Sequence, residues 1–109
     1  MPFGYDSSFD TADLEQLTAA GVTSAQKTAG AHLTFQVAVA SIGTNVVLRF
    51  EGSLDGTNFF NLAADQTDYT LTANGVYGYV LYAPVQYVRV RLVSLSGGTP
   101  TISTVLGAM

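Results

Sequence analysis

The chain has few residues with which to do chemistry, and their spacing decides what they can do. His32 is the only histidine and cysteine is absent. A zinc site needs several such ligands at fixed spacing, so none is expected. His32 stands in a run of alternating apolar residues, a structural or solvated place rather than that of a general base. A nucleophile elbow requires Gly-x-Ser-x-Gly, and Gly52-Ser53-Leu54-Asp55-Gly56 brings its serine one position too early. No glycine-rich phosphate loop is present. Asp55, Asp65 and Asp68 flank loops and could face a Ca²⁺ ion, but they lack the oxygen-dense spacing of a calcium loop. Tyr69, Tyr77, Tyr79, Tyr82 and Tyr87 could stack against a sugar; the competing reading places them in the core and at subunit surfaces. The expectation is a protein that is not an enzyme, with no cofactor and no metal.

The charges are few and unevenly placed. Charged residues make up 11% of the chain, against about 25% in an average soluble domain. Such a surface suits a protein that lies against other subunits. The net charge of −4 resides in residues 1–15, where Asp6, Asp10, Asp13 and Glu15 meet no base. Beyond them, Lys27, Arg49, Arg89 and Arg91 balance Glu51, Asp55, Asp65 and Asp68. With a pI near 4.4, direct contact with nucleic acid phosphates is disfavoured. No run is long enough to span a membrane as a helix, and the first six residues lack the basic and apolar regions of a signal peptide.

These residues need elements to hold them. Residues 1–17 read as an acidic, aromatic N-terminal arm, with a short helical turn over Thr11–Leu17 and Asp10 as its N-cap. Phe3, Tyr5 and Phe9 alternate with polar residues, so with Asp6 and Asp10 they form a candidate docking arm for a neighbouring subunit. Residues 18–109 read as one all-β domain. His32–Ala40 alternates, with Leu33, Phe35, Val37 and Val39 on one face. Val46–Ser53, an Asp55-Gly56 turn and Asn58–Leu62 read as a hairpin, with Gly52 marking a bulge. Tyr69–Thr72, the turn at Asn74-Gly75, Val76–Tyr82, Gln86–Leu95 and Thr101–Leu106 complete the strands, with a weaker one at Leu17–Thr23. Gly97–Pro100 reads as a loop. Seven to eight short strands predict an antiparallel β-sandwich or jelly roll with an extended N-terminal arm.

Two strands place charges together. Arg49 and Glu51 share a face opposite Val46, Leu48 and Phe50, and Arg89 and Arg91 lie opposite Val88, Val90 and Leu92. In one sheet, Glu51 would pair with Arg89 or Arg91. Such a pair is either an exposed ion pair worth at most about 1 kcal/mol or part of an arginine-lined face that receives an acidic partner segment.

The stretch from Leu48 to Phe59, containing Glu51-Gly52-Ser53-Leu54-Asp55-Gly56-Thr57-Asn58, is followed by Asn74-Gly75-Val76-Tyr77, Tyr87-Val88-Arg89-Val90-Arg91-Leu92 and Ser96-Gly97-Gly98-Thr99-Pro100. Across residues 45–106 this pattern resembles small β-sandwich structural proteins of tailed bacteriophages. The resemblance implies a virion component, foremost a capsid decoration (cement) protein or a related head or tail accessory protein. It implies a homo-oligomer, often a trimer, that binds the major capsid protein or another virion protein and is assembled in the host cytoplasm. The same Asp-Gly turn and Tyr-Val-Arg strand also resemble discoidin-like, galactose-binding jelly rolls. That second likeness implies a carbohydrate-binding module of a phage tail or host-recognition device. The chain departs from it by having Phe59 where tryptophan is common and by lacking cysteines.

Overall fold

Two strands of 22 residues each organise the chain. The computed structural model describes residues 10–28 and 30–109, with strands β1 (Asp10–Asp13), β2 (Gly21–Val22), β3 (Gln26–Lys27), β4 (His32–Ser53), β5 (Phe60–Asn61), β6 (Tyr69–Leu71), β7 (Gly75–Tyr82) and β8 (Tyr87–Ala108). No helix occurs among the described residues. β4 and β8 pair antiparallel from Leu33↔Ala108 to Ser53↔Tyr87. β1, β2 and β3 follow one another along the outer edge of β8, and β5, β6 and β7 along the outer edge of β4. The whole is a single antiparallel sheet, four strands wide in each half.

This sheet curls back on itself. Phe35 and Phe50 lie fifteen residues apart in β4, roughly 50 Å if the strand were straight. Their rings nevertheless stack with centroids 4.4 Å apart. The bend lies where the β4–β8 register shifts, between Ala40 and Asn45. Ser41 there has φ 57°, and Gly98 opposite has φ 65°. A Cβ on Gly98 would stand 2.5 Å from Gly43 N and 2.9 Å from Ser41 O, so only glycine lets the two backbones cross here. The amide of Ile42, displaced from the ladder, donates to Asn74 Oδ1 at 2.9 Å. At the opposite end, Gln86 N donates to Ser53 O and Ala83 N to Ala31 O, so the segment 83–86 joins the two halves.

The core fills the inside of the curl. Leu33, Phe35, Val37 and Val39 from one half meet Val46, Leu48, Phe50, Val88, Val90 and Leu92 from the other, all buried. This is the inward face expected from the alternation. Burying each such side chain contributes about 1.5–3 kcal/mol.

Several expectations are corrected. The helical turn at Thr11–Leu17 does not form: Asp10–Asp13 is a strand on Val105–Ala108, and Leu17 exchanges backbone hydrogen bonds with Ile102. The unpaired edge of β8 satisfies these amides better than a single isolated helical turn can. Gly97–Pro100 is a bend within one continuous strand, not a loop between two, and Ser41–Asn45 is the facing bend in β4. Gly52 marks close packing, since its register with Val88 is regular and a Cβ would meet Leu62 Cδ2 at 2.6 Å.

Candidate functional site

The outer face of the half built from Val46–Ser53 and Tyr87–Leu95 carries three of the four basic residues. Period-two alternation puts Arg49 and Glu51 of β4 on this face, and the ladder sets Glu51 opposite Arg89 and Arg49 opposite Arg91. Glu51 accepts from Arg89 Nε at 2.7 Å through one oxygen and from Arg91 Nε at 2.9 Å through the other. Arg49 Nη1 stands 3.6 Å from Glu51 Oε2. Arg49 also forks onto Asp68, with Nε to Oδ1 at 2.8 Å and Nη2 to Oδ2 at 3.1 Å. Asn61 Nδ2 adds a third hydrogen bond to Asp68, and the Arg89 guanidinium lies 3.8 Å over the Phe59 ring.

Glu51 is 4% exposed, which overturns the exposed-pair reading. Burial pushes its carboxyl up, but the hydrogen bonds and charges of Arg91 and Arg89 outweigh that and hold it below the ordinary range. The hydrogen bond from Arg49 likewise lowers Asp68, and the one to Asp68 raises Arg49. The structure therefore brings Arg89 and Arg91 together, as expected, but both already hold a carboxylate of their own chain. Three guanidiniums face two carboxylates, so the cluster keeps one positive charge in excess, with its arginines 21–35% exposed. Asp68 is the member that sequence reasoning did not place here: it enters from the segment between β5 and β6, and no periodicity links it to Arg49.

The other candidate residues fall elsewhere. Phe3, Tyr5, Asp6 and Phe9 lie outside the described residues. Asp10 is exposed at the start of β1, opposite Ala108. The Asp55-Gly56 turn is present with Gly56 at φ 78°, as expected, though within a longer loop. Asp55 accepts from the amides of Asn58 and Thr57 and from the Asn58 and Ser53 side chains, which hold its carboxyl far below the ordinary range. Asp65 accepts from Thr67 in the same manner. Asp55, Asp65 and Asp68 thus bind their own loops and arginine, and no cluster of metal-ligating residues occurs among the described residues. Of the tyrosines considered for sugar stacking, Tyr69, Tyr77 and Tyr79 pack on the core, while Tyr82 is exposed.

The chain is thus an all-β protein of one curled antiparallel sheet with a charged cluster on one outer face. No family model matches it, and no curated protein does. Solved structures do share the fold. The SPBc2 prophage-derived protein YomS superposes with a TM-score of 0.60 at 14% identity, covering 92% of this chain and 95% of that one. The K1 cleaved adhesin domain of Lys-gingipain from Porphyromonas gingivalis W83 gives 0.56 at 16% identity, covering 94% and 92%.

Proposed function

We propose that this protein is a non-enzymatic structural component of a phage particle, most specifically a capsid decoration protein that associates with itself and clamps neighbouring subunits. The observation that carries this reading is the fold shared with a prophage-derived protein over nearly the full length of both chains. The phage-type motifs of residues 45–106 support it, as does a surface so poor in charge. In this reading the segment 1–9 with Asp10 is the attachment arm, and the partner is the major capsid protein or another virion protein. The arginine cluster, already neutralised in large part by Glu51 and Asp68, serves chiefly to lock β4 to β8.

A second reading is a carbohydrate-binding module of a tail or host-recognition device. The fold shared with a cleaved adhesin domain favours it. The test is to mix the full chain, and a chain beginning at Asp10, with undecorated particles and image them by electron microscopy. The first reading expects ordered density from the full chain and weaker occupancy from the shortened one. Absence of particle binding, with retention of the full chain on a glycan array, would favour the second.

A further inference from the structure

Among the described residues, strand β7 leaves one side of the sheet open. Its residues pair in unbroken register with β4, from His32↔Tyr82 to Val39↔Gly75, and with no other strand among the described residues. His32 exchanges both backbone hydrogen bonds with Met109 on the β8 side. Its opposite number Tyr82 therefore turns its own N–H and C=O away from β4. Alternation gives the same outward direction to Val80, Gly78 and Val76. These four residues also carry their side chains on the outer face, where Val76, Val80 and Tyr82 are 69%, 77% and 70% exposed.

Natural edge strands are blocked by charge, proline, bulges or shortness. β7 has eight residues with no charge, no proline and no register shift. The opposite edge is guarded, because Asp10, Asp13 and Glu15 stand exposed along it. Phe60 and Leu54 extend the apolar strip beyond Tyr82, around a shallow cleft that also includes Leu62 and Pro84.

We infer that β7 is a homodimer contact, in which two copies join their sheets by antiparallel β7–β7 pairing about a two-fold axis at Tyr79. In that register Val76 meets Tyr82 of the second copy, a β-branched residue beside an aromatic one. Val80 meets Gly78 of the second copy, where a Cβ would find nothing within 4 Å in the single chain. Every outward N–H and C=O of the four residues finds a partner. Val76, Val80 and Tyr82 are the exposed apolar side chains of β7 itself, so an edge-to-edge contact of eight residues buries less than about 1,200 Å² over both copies and belongs with weak, reversible interfaces. A two-fold contact uses the same edge twice and closes. Head-to-tail addition would instead press β7 against the acidic edge of β1. The contact deepens the self-association within the function proposed above, but it is argued from strand geometry and tested without particles.

The experiment is light scattering of the full chain at about 100 µM, a concentration above the micromolar Kd of weak interfaces this size, together with amide hydrogen exchange. The expected result is twice the 11.4 kDa chain mass, with slow exchange at Val76, Gly78, Val80 and Tyr82. Val80→Lys should give monomers with unchanged β-sheet circular dichroism and fast exchange at those amides, while Val80→Thr should stay dimeric. A monomeric or trimeric wild type, or a dimer that survives Val80→Lys, would overturn the inference. So would fast exchange at the four amides in the wild-type dimer, which needs no variant to read. Particle binding by a monomeric wild type would sink the dimer and leave the virion reading standing.

Discussion

Replacing Glu51 by glutamine removes one charge and almost no volume. The carboxylate is 4% exposed and receives the Nε–H of two arginines at 2.7 and 2.9 Å. Each charge-assisted hydrogen bond is worth about 1.5–3 kcal/mol. The loss is smaller than their sum, because guanidiniums that are 21% and 35% exposed can recover some water. Against this, the amide N–H₂ that replaces one oxygen now faces an arginine donor. The net expectation is a loss of about 2–4 kcal/mol, between the values for a surface pair and for a fully buried pair with one partner removed. In a domain this size, about 3 kcal/mol lowers Tm by roughly 10–20 °C. Urea titration and thermal melts followed by circular dichroism measure both quantities. Asp13→Asn, on the exposed strand β1, is the control and should melt like the wild type. A loss below about 1 kcal/mol for Glu51→Gln would mean the carboxylate behaves as a surface group, and the argument for a buried charge knot between β4 and β8 would be wrong.

Other outcomes follow from the same structure. Glu51, Asp68 and Asp55 all have depressed carboxyl pKa values, so the stability they contribute is complete above the ordinary values of 3.8–4.5 and is lost as pH falls through the depressed ones. Tm should be level between about pH 5 and 8 and fall below about pH 4, with a shallower acid limb in Glu51→Gln; a Tm that rises on acidification would contradict this sign. Gly98→Ala should be among the most damaging single changes, costing more than about 3 kcal/mol, because its Cβ would meet the Gly43 and Ser41 backbone; a stable variant would place the bend elsewhere. Gly56→Val, at φ 78° and with Tyr87 at 3.2 Å from the added Cβ, should cost about 1–3 kcal/mol by urea unfolding. An unchanged midpoint there would refute the left-handed turn.

How much of this was legible in the residues depends on the range over which each feature is set. Alternation is local, so the inward faces of Leu33–Val39, Val46–Phe50 and Val88–Leu92 could be read directly, as could the pairing of Glu51 with the arginines and the left-handed glycine at Gly56. Those facts follow from a period of two and from the steric freedom of one residue. The bends could not be read: Ser41 and Gly97-Gly98 look like chain breaks, and become bends only because each faces the other across the β4–β8 ladder. The strand at Asp10–Asp13 was hidden for a similar reason, since its four residues gain their partners from Val105–Ala108, nearly a hundred positions away. The partners of the arginines around Glu51 were hidden in the same way, since Asp68 reaches Arg49 and Phe59 reaches Arg89 from other segments. The open edge of β7 is the plainest case. Its run of Val, Tyr, Gly and Leu is apolar on both faces and so has no directional signal. Which face meets water, and which backbone groups go unpaired, was set by where β4 and β8 bent and by which strands were left to lie beside them.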